Sequence, residues 1–193
     1  MTTQALFHRP LDEEIELRSL DEPDAEELFD LTDRNRDHLR AWLPWVDATR
    51  TIDDTRTFIR TARDQERGGD GFQAGIWYRG ALAGVVGYHR IDWPRRRVAL
   101  GYWLGKEFEG KGIMTRACRA LVDHALGELG LERVEIRAAT GNLRSRAIPL
   151  RLGFEEEGVI RRAEWLYDHF VDHVVYGMQR GRWPGPNQAP SSG

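Results

Sequence analysis

Apolar residues along this chain fall into two rhythms, period two and period 3.6, and the switches between them mark its elements. Residues 15–17 predict a short first strand. Asp21 and Pro23 read as a helix start, with Leu28, Phe29 and Leu31 on its buried side. The helical pattern runs through residues 39–45, Leu-Arg-Ala-Trp-Leu-Pro-Trp, where Pro44 cannot continue it. Thr51 with Asp54 forms a capping box, and Ile52, Ile59 and Ala62 follow at helical spacing until Gly68, Gly69 and Gly71 break the helix.

Strands follow at 72–78 and 81–88, joined by Arg79-Gly80 as a hairpin turn, and then at 98–104. A loop holding Gly110 and Gly112 leads into a helix from Met114 to about Leu129, with Gly130 at its C-terminal end. A strand at 134–139, a short helix at 143–152 ended by Gly153, and strands at 154–161 and 170–179 complete the pattern. Residues 181–193, rich in Gly, Pro and Ser, predict a disordered tail behind one domain spanning residues 1–180. The order is strand, two helices, three strands, helix, strand, helix, two strands. It defines a mixed α/β domain with early antiparallel hairpins and a strand–helix–strand crossover in the middle.

Composition narrows the functional classes. At 193 residues the chain can bury its own core. A net charge of −3 argues against nucleic-acid binding through bulk charge, and Arg95, Arg96 and Arg97 read as a solvated loop. Cys118 is the single cysteine, which excludes an internal disulfide and fits a reducing, cytoplasmic setting. Its place inside the helix after the glycine loop predicts a core residue rather than a nucleophile. Residues 1–20 are rich in charge, so neither a leader nor a membrane span is expected, and no metal-ligand spacing stands out.

The most informative stretch is 102–116, Tyr-Trp-Leu-Gly-Lys-Glu-Phe-Glu-Gly-Lys-Gly-Ile-Met-Thr-Arg. An apolar strand entering a glycine loop and then a helix exposes unpaired backbone N–H groups at a positive helix end. Glycines allow close approach, and Lys111 adds a cation, so the stretch reads as a pyrophosphate cradle. It is neither G-x-G-x-x-G nor a P-loop. A strand-to-helix turn needing glycine for geometry is the competing reading.

Four segments together resemble the GNAT superfamily of acetyltransferases, most closely its RimJ/RimL type, which acetylates N-termini of ribosomal proteins. Residues 39–47 resemble that group's Leu-Pro-Trp segment. Residues 101–117 resemble its strand, acetyl-CoA loop and helix. Asn142 and Ser145, followed by Gly153-Phe154 and Glu157-Gly158, resemble its Asn-x-x-Ser and Gly-Phe-x-x-Glu-Gly segment. Ala163-Glu164 before Asp172 resembles its C-terminal active-site strands. The superfamily loop Gln/Arg-x-x-Gly-x-Gly/Ala maps onto residues 109–114 with two departures. Glu109 replaces Gln/Arg, and Met114, usual for the RimL-like group, replaces the second small residue. Many members carry a general-acid Tyr on the short helix seven residues after the Asn. That position is Pro149, which has no proton to donate.

The resemblance implies a GNAT-type mixed, mostly antiparallel central sheet of six to seven strands flanked by about four helices. It implies acetyl-CoA as cosubstrate, without a metal. Its phosphates would lie at Gly110, Lys111, Gly112, Ile113, Met114 and Thr115, with a backbone N–H of Trp103 or Leu104 facing the reacting carbonyl. Asn142 would cap the short helix and bond the pantetheine arm. Ser145 would assist the leaving thiolate, Glu164 would take the amine proton, and Trp42 and Trp45 would wall the acceptor groove. Each has a plainer competitor: a helix cap for Ser145, a surface salt bridge for Glu164, simple packing for the tryptophans. The acceptor expected is a protein or peptide N-terminal α-amine. The alternatives are a small amine (antibiotic, polyamine or amino-acid derivative) or a catalytically silent acyl-CoA-binding module. A homodimer is expected from the family, with no nucleic-acid or membrane partner.

Overall fold

The computed structural model describes residues 6–185. Among these residues eight strands form one sheet: β1 (His8–Pro10), β2 (Ile15–Ser19), β3 (Gln73–Tyr78), β4 (Ala81–Tyr88), β5 (Arg97–Leu104), β6 (Arg133–Ala139), β7 (Glu155–Leu166) and β8 (His169–Gln179). Their order is β1-β2-β3-β4-β5-β6-β8-β7. Only β5 and β6 run parallel; every other neighbouring pair is antiparallel. Among the described residues five α-helices flank the sheet: α1 (Ala25–Arg34), α2 (Arg36–Arg40), α3 (Ile52–Arg67), α4 (Ile113–Asp123) and α5 (Leu143–Arg151).

Period-two alternation sorts the strands between two apolar layers. Val98 and Leu100 of β5, Ile136 of β6 and Tyr176 of β8 pack with Ala117 and Leu121 of α4 and Ile148 of α5. On the opposite face Trp77, Leu82 and Val85 pack with Leu28, Leu31 and Ile59 from α1 and α3. The anticipated capping box is present, with Asp54 N–H donating to Thr51 Oγ1 at 3.2 Å and Thr51 N–H to Asp54 Oδ2 at 2.8 Å. The Arg79-Gly80 turn has φ 52° and 81°, the left-handed pair that a two-residue hairpin needs.

Several boundaries differ from the sequence pattern for identifiable reasons. β1 is an additional edge strand of three residues containing Pro10, too short to show alternation. The first helical region divides at Asn35, whose side chain ties it to the loop after β5. Its Nδ2 donates to Leu31 O at 3.0 Å, and its Oδ1 accepts from Lys106 N–H at 2.9 Å. α4 passes at His124–Glu128 into a π-helical turn instead of staying α-helical to Leu129. β7 extends well past residue 161, through an irregularity described below. The expected tail also starts later than Gly181. Arg180–Arg182 form a 3-10 turn, and Trp183 packs on the core with its Nε1–H donating to Asp123 Oδ1 at 2.7 Å. Residues 186–193 of that tail lie outside the described residues.

The site is set by where β5 and β6 part. Their register ends at Leu100 opposite Ile136, while β6 continues to Ala139 along β8. Residues 101–104 therefore keep only β4 as a neighbour, on one edge. Gly105 N–H donates to Ala83 O on β4, and Gly84 makes room for the carbonyl of Trp103. By alternation Tyr102 and Leu104 turn their N–H groups to the open edge, away from β4.

Candidate active site

A cleft of about 1280 Å³ opens at this parting of the strands. Its walls include Trp42 after α2, Tyr102, Trp103 and Leu104 of β5, the loop from Glu109 to Gly112, the first turn of α4, and Asn142 and Ser145 of α5. Gly110 has φ 75° and Gly112 has φ 71°, left-handed values that glycine adopts without strain. Gly112 is the N-cap of α4 and no side chain caps that helix. The first turn's N–H groups thus face the cleft without a side-chain acceptor, which is the geometry an anion needs. Ile113, Met114 and Thr115 line the cleft, and Arg151 Nη1 donates to Thr115 Oγ1 at 3.1 Å.

Lys111 departs from expectation. Its Nζ donates to Glu107 O at 2.9 Å and lies over the Tyr78 and Phe108 rings, outside the cleft. The cleft's cations are instead Lys106, Arg116, Arg144 and Arg151. Of the two β5 candidates, Trp103 faces β4, so Leu104 is the one with an N–H toward the open edge. Glu109, the anion at the cradle, is paired on both sides. Arg144 of α5 meets it directly, and His38 Nε2 of α2 lies 3.3 Å from it. Burial lowers the His38 pKa, opposed by a bond to the Leu104 backbone.

Asn142 caps α5 as read from the sequence, its Oδ1 accepting Ser145 N–H at 3.1 Å. Ser145 is not the cap. Its Oγ donates to the Tyr102 hydroxyl at 3.3 Å, and that hydroxyl donates to Ser145 O at 3.1 Å. Burial holds the Tyr102 pKa well above the ordinary phenol value, so the group stays a protonated donor. Cys118 is fully buried behind it, and burial pushes its thiol up in the same way.

Glu164 stands apart from the cleft, on β7. Between Ile160 and Glu164 the β7–β8 register slips: Ile160 faces His173, and Glu164 faces Val171. Arg162 sits there at φ 48°, with its N–H held by Asp172 Oδ1 at 2.7 Å. This bulge turns the strand so that Glu164 Oε2 lies 3.5 Å from His173 Nε2, with the carboxylate side chain 32% exposed. His89 and Arg137 complete the surroundings. Burial lowers the His89 pKa, with Arg137 adding to the effect and Glu164 opposing it.

Trp42 lines the cleft, 3.6 Å from where a Cβ on Gly141 would stand. Trp45 does not line it; its ring stacks at a tilt on Trp103, 5.8 Å between centroids. The β7–β8 turn holds this segment, because the Tyr167 hydroxyl donates to Leu43 O and Arg40 lies over the Tyr167 ring. Tyr102, His38 and Arg144 escaped the sequence reading. Alternation along 98–104 could have found Tyr102, because it shares a face with Val98 and Leu100. Nothing local announces the contact between His38 and Glu109.

Among the described residues no group of His, Cys, Asp or Glu could hold a metal ion, and no helix is long and apolar enough to cross a membrane. The model of the acetyltransferase (GNAT) domain matches residues 14–155. YdaF of Bacillus subtilis (strain 168), whose name assigns it provisionally to the ribosomal N-acetyltransferases, is 40% identical over 181 residues, 93% of this chain and 99% of YdaF. The solved structure of RimL, a ribosomal L7/L12 alpha-N-protein acetyltransferase in complex with coenzyme A, superposes with a TM-score of 0.86 at 26% identity, covering 90% of this chain and 98% of RimL. The microcin C7 self-immunity acetyltransferase MccE, solved with acetyl-CoA and AMP, gives 0.84 at 32% identity, covering 88% of this chain and 94% of MccE. The chain belongs to the GNAT family of acetyltransferases and is homologous to ribosomal-protein N-acetyltransferases of the RimJ/RimL type.

Proposed function

We propose that this protein transfers the acetyl group of acetyl-CoA to the α-amine of a protein or peptide N-terminus. The uncapped start of α4 beside the open edge of β5 carries the reading: it offers N–H donors for a pyrophosphate next to a strand edge for a pantetheine amide. The residues present fit the cosubstrate. Positive-φ glycines let it approach, and four cations line the cleft. When bound, acetyl-CoA supplies a thioester carbonyl with a leaving thiol of ordinary pKa about 8.5.

The chain's own groups divide the rest. Glu164 takes the amine proton, directly or through one water. The Leu104 N–H stabilises the charge that develops on the carbonyl oxygen. Ser145 donates a hydrogen bond to the departing sulfur, for which Pro149 leaves no tyrosine on α5. Asn142 holds the start of α5 and offers its amide to the pantetheine arm. Trp42 and the segment pinned by Tyr167 wall the acceptor side. The names of YdaF and RimL support a protein N-terminus as acceptor. So does acid–base chemistry: the α-amine titrates about 2.5 units below lysine and is several hundred-fold richer in neutral amine at pH 7. A homodimer in the cytoplasm belongs to the same reading, the dimer supported by the family and the reducing setting by the single cysteine, Cys118.

The test is mass spectrometry on peptides carrying both an α-amine and a lysine, with the α-amine free or blocked. Acetylation at the free α-amine is expected. Acetylation mainly at lysine, or turnover only with a small free amine, overturns the acceptor assignment. No thiol release with any amine would make the protein a silent acyl-CoA-binding module.

A further inference from the structure

Pro149 does more than remove a phenol from α5. In an α-helix the N–H of residue 149 would donate to the carbonyl of residue 145. Proline has no N–H, so the Ser145 carbonyl loses its intrahelical donor inside the last element that lines the cleft. The Tyr102 hydroxyl, arriving from β5, donates to that same carbonyl at 3.1 Å. The same phenol oxygen accepts the Ser145 Oγ proton at 3.3 Å. One tyrosine therefore grips one serine at both its main-chain and side-chain oxygens, and the proline creates the opening for the first of these bonds.

We infer that Tyr102 is the positioning residue for Ser145: it holds the serine in place by its main-chain carbonyl and accepts its hydroxyl proton until that one O–H is released to the leaving sulfur. This rests on the acetyl-transfer reading and adds a residue to it. Tyr102 stays protonated because burial disfavours its phenolate, so it supplies orientation and no net proton. As the bond from carbonyl carbon to sulfur breaks, its electron pair goes to the sulfur, which leaves as a thiolate. The new carbon–nitrogen bond forms with the amine pair, and the amine proton goes to Glu164. The Ser145 O–H then breaks its bond to the Tyr102 oxygen and donates to the thiolate, while the Tyr102 O–H remains on the Ser145 carbonyl as the fixed point about which the serine turns. A partly buried carbonyl left without a donor weakens a helix, so Tyr102 also has a purely structural use. The experiment must separate the two.

The variants are Y102F, S145A, P149A and the doubles Y102F/S145A and Y102F/P149A. Each is assayed for kcat, KM for acetyl-CoA and melting temperature. Y102F should lower kcat about tenfold, the worth of one hydrogen bond, with KM for acetyl-CoA unchanged. The Y102F/S145A double should be no slower than S145A, because the two residues act as one unit. P149A restores the backbone N–H, so Y102F/P149A should regain melting temperature while kcat stays low. Recovery of kcat in that double, or a wild-type kcat in Y102F, would reduce Tyr102 to a structural donor and overturn the inference. Additive losses in Y102F/S145A would do the same without relying on the proline variant. A wild-type rate in S145A, with E164Q slow, would remove Ser145 and this inference together while acetyl transfer stands. Absence of acetyl transfer by the wild-type protein is a different failure, that of the parent reading.

Discussion

The two halves of the site are built by different means. The proposed phosphate cradle comes from one continuous run, β5, the glycine loop and the first turn of α4, and would act through backbone N–H groups. The proposed catalytic and acceptor side would draw single side chains from far-separated elements: Trp42 after α2, Ser145 on α5, Glu164 on β7 and His173 on β8. A backbone site tolerates side-chain change, which is why an anion such as Glu109 can sit in the cradle once Arg144 and His38 face it. A side-chain site has no such reserve, so single substitutions should discriminate sharply between the halves.

The largest effect should come from the acceptor side. Glu164→Gln should lower turnover about 10²–10⁴-fold, the range for a general base, with CoA affinity unchanged. The loss should shrink as pH rises toward the α-amine's ordinary value near 8, because more acceptor is then already neutral. Wild-type turnover across that range, in a variant that still binds CoA, would take Glu164 out of the chemistry.

On the cradle side, Gly112→Val should weaken CoA binding by about tenfold or more. The added Cβ meets nothing within 4 Å, so packing is not the reason. The backbone at φ 71° costs a branched residue roughly 1–2 kcal/mol, and the helix start shifts to escape it. Isothermal calorimetry with CoA on the folded variant decides this. Unchanged affinity would leave Gly112 as a mere turn residue and break the contrast between the halves.

The difference also explains what was legible in the sequence. Strand, glycine loop and helix are local, so the cradle and the order of elements could be read from periodicity and from Gly110 and Gly112. Lys111 could not, because its direction is decided by the Glu107 carbonyl and by the Tyr78 ring on β3. β1 was illegible because three residues with a proline carry no period. The irregular stretch of β7 hid its true length, since the residues between Ile160 and Glu164 leave the alternation and rejoin it two strand positions away. The Tyr102–Ser145 contact depends on what Pro149 withholds from a carbonyl four residues back, a consequence of helix geometry that no motif carries.

A smaller effect tests whether the cradle is indifferent to side chains. Glu109→Gln removes the anion facing Arg144, whose own side chain is 78% exposed. Such a pair is worth about 0–1 kcal/mol, so CoA should bind up to about fivefold more tightly, and the gain should fade with added salt. Weaker binding would mean that Glu109 holds Arg144 where the phosphates need it, and side chains would then matter on both sides.

The smallest expected effect is on stability against pH, and it concerns one histidine from each half. His38 lies at the mouth of the cradle and His89 on the acceptor side. For both, burial is the leading cause of a pKa below the ordinary value. Lys106 and Arg144 add to the lowering at His38, where the Leu104 backbone bond and Glu107 oppose it; Arg137 adds to it at His89. As pH falls through about 6.5, the ordinary imidazole value, the unfolded chain gains these protons before the folded one does. The unfolded state then binds more protons, so stability declines with falling pH. The melting temperature should drop between about pH 7 and 5, and His38→Gln and His89→Gln should each flatten part of that slope. A slope unchanged by His38→Gln but flattened by His89→Gln would assign the site's share of the acid sensitivity to the acceptor side, apart from the share of His124, whose pKa burial also lowers outside both halves. The opposite result would move it to the cradle, where the cations around His38 would have to outweigh its bond to the Leu104 backbone.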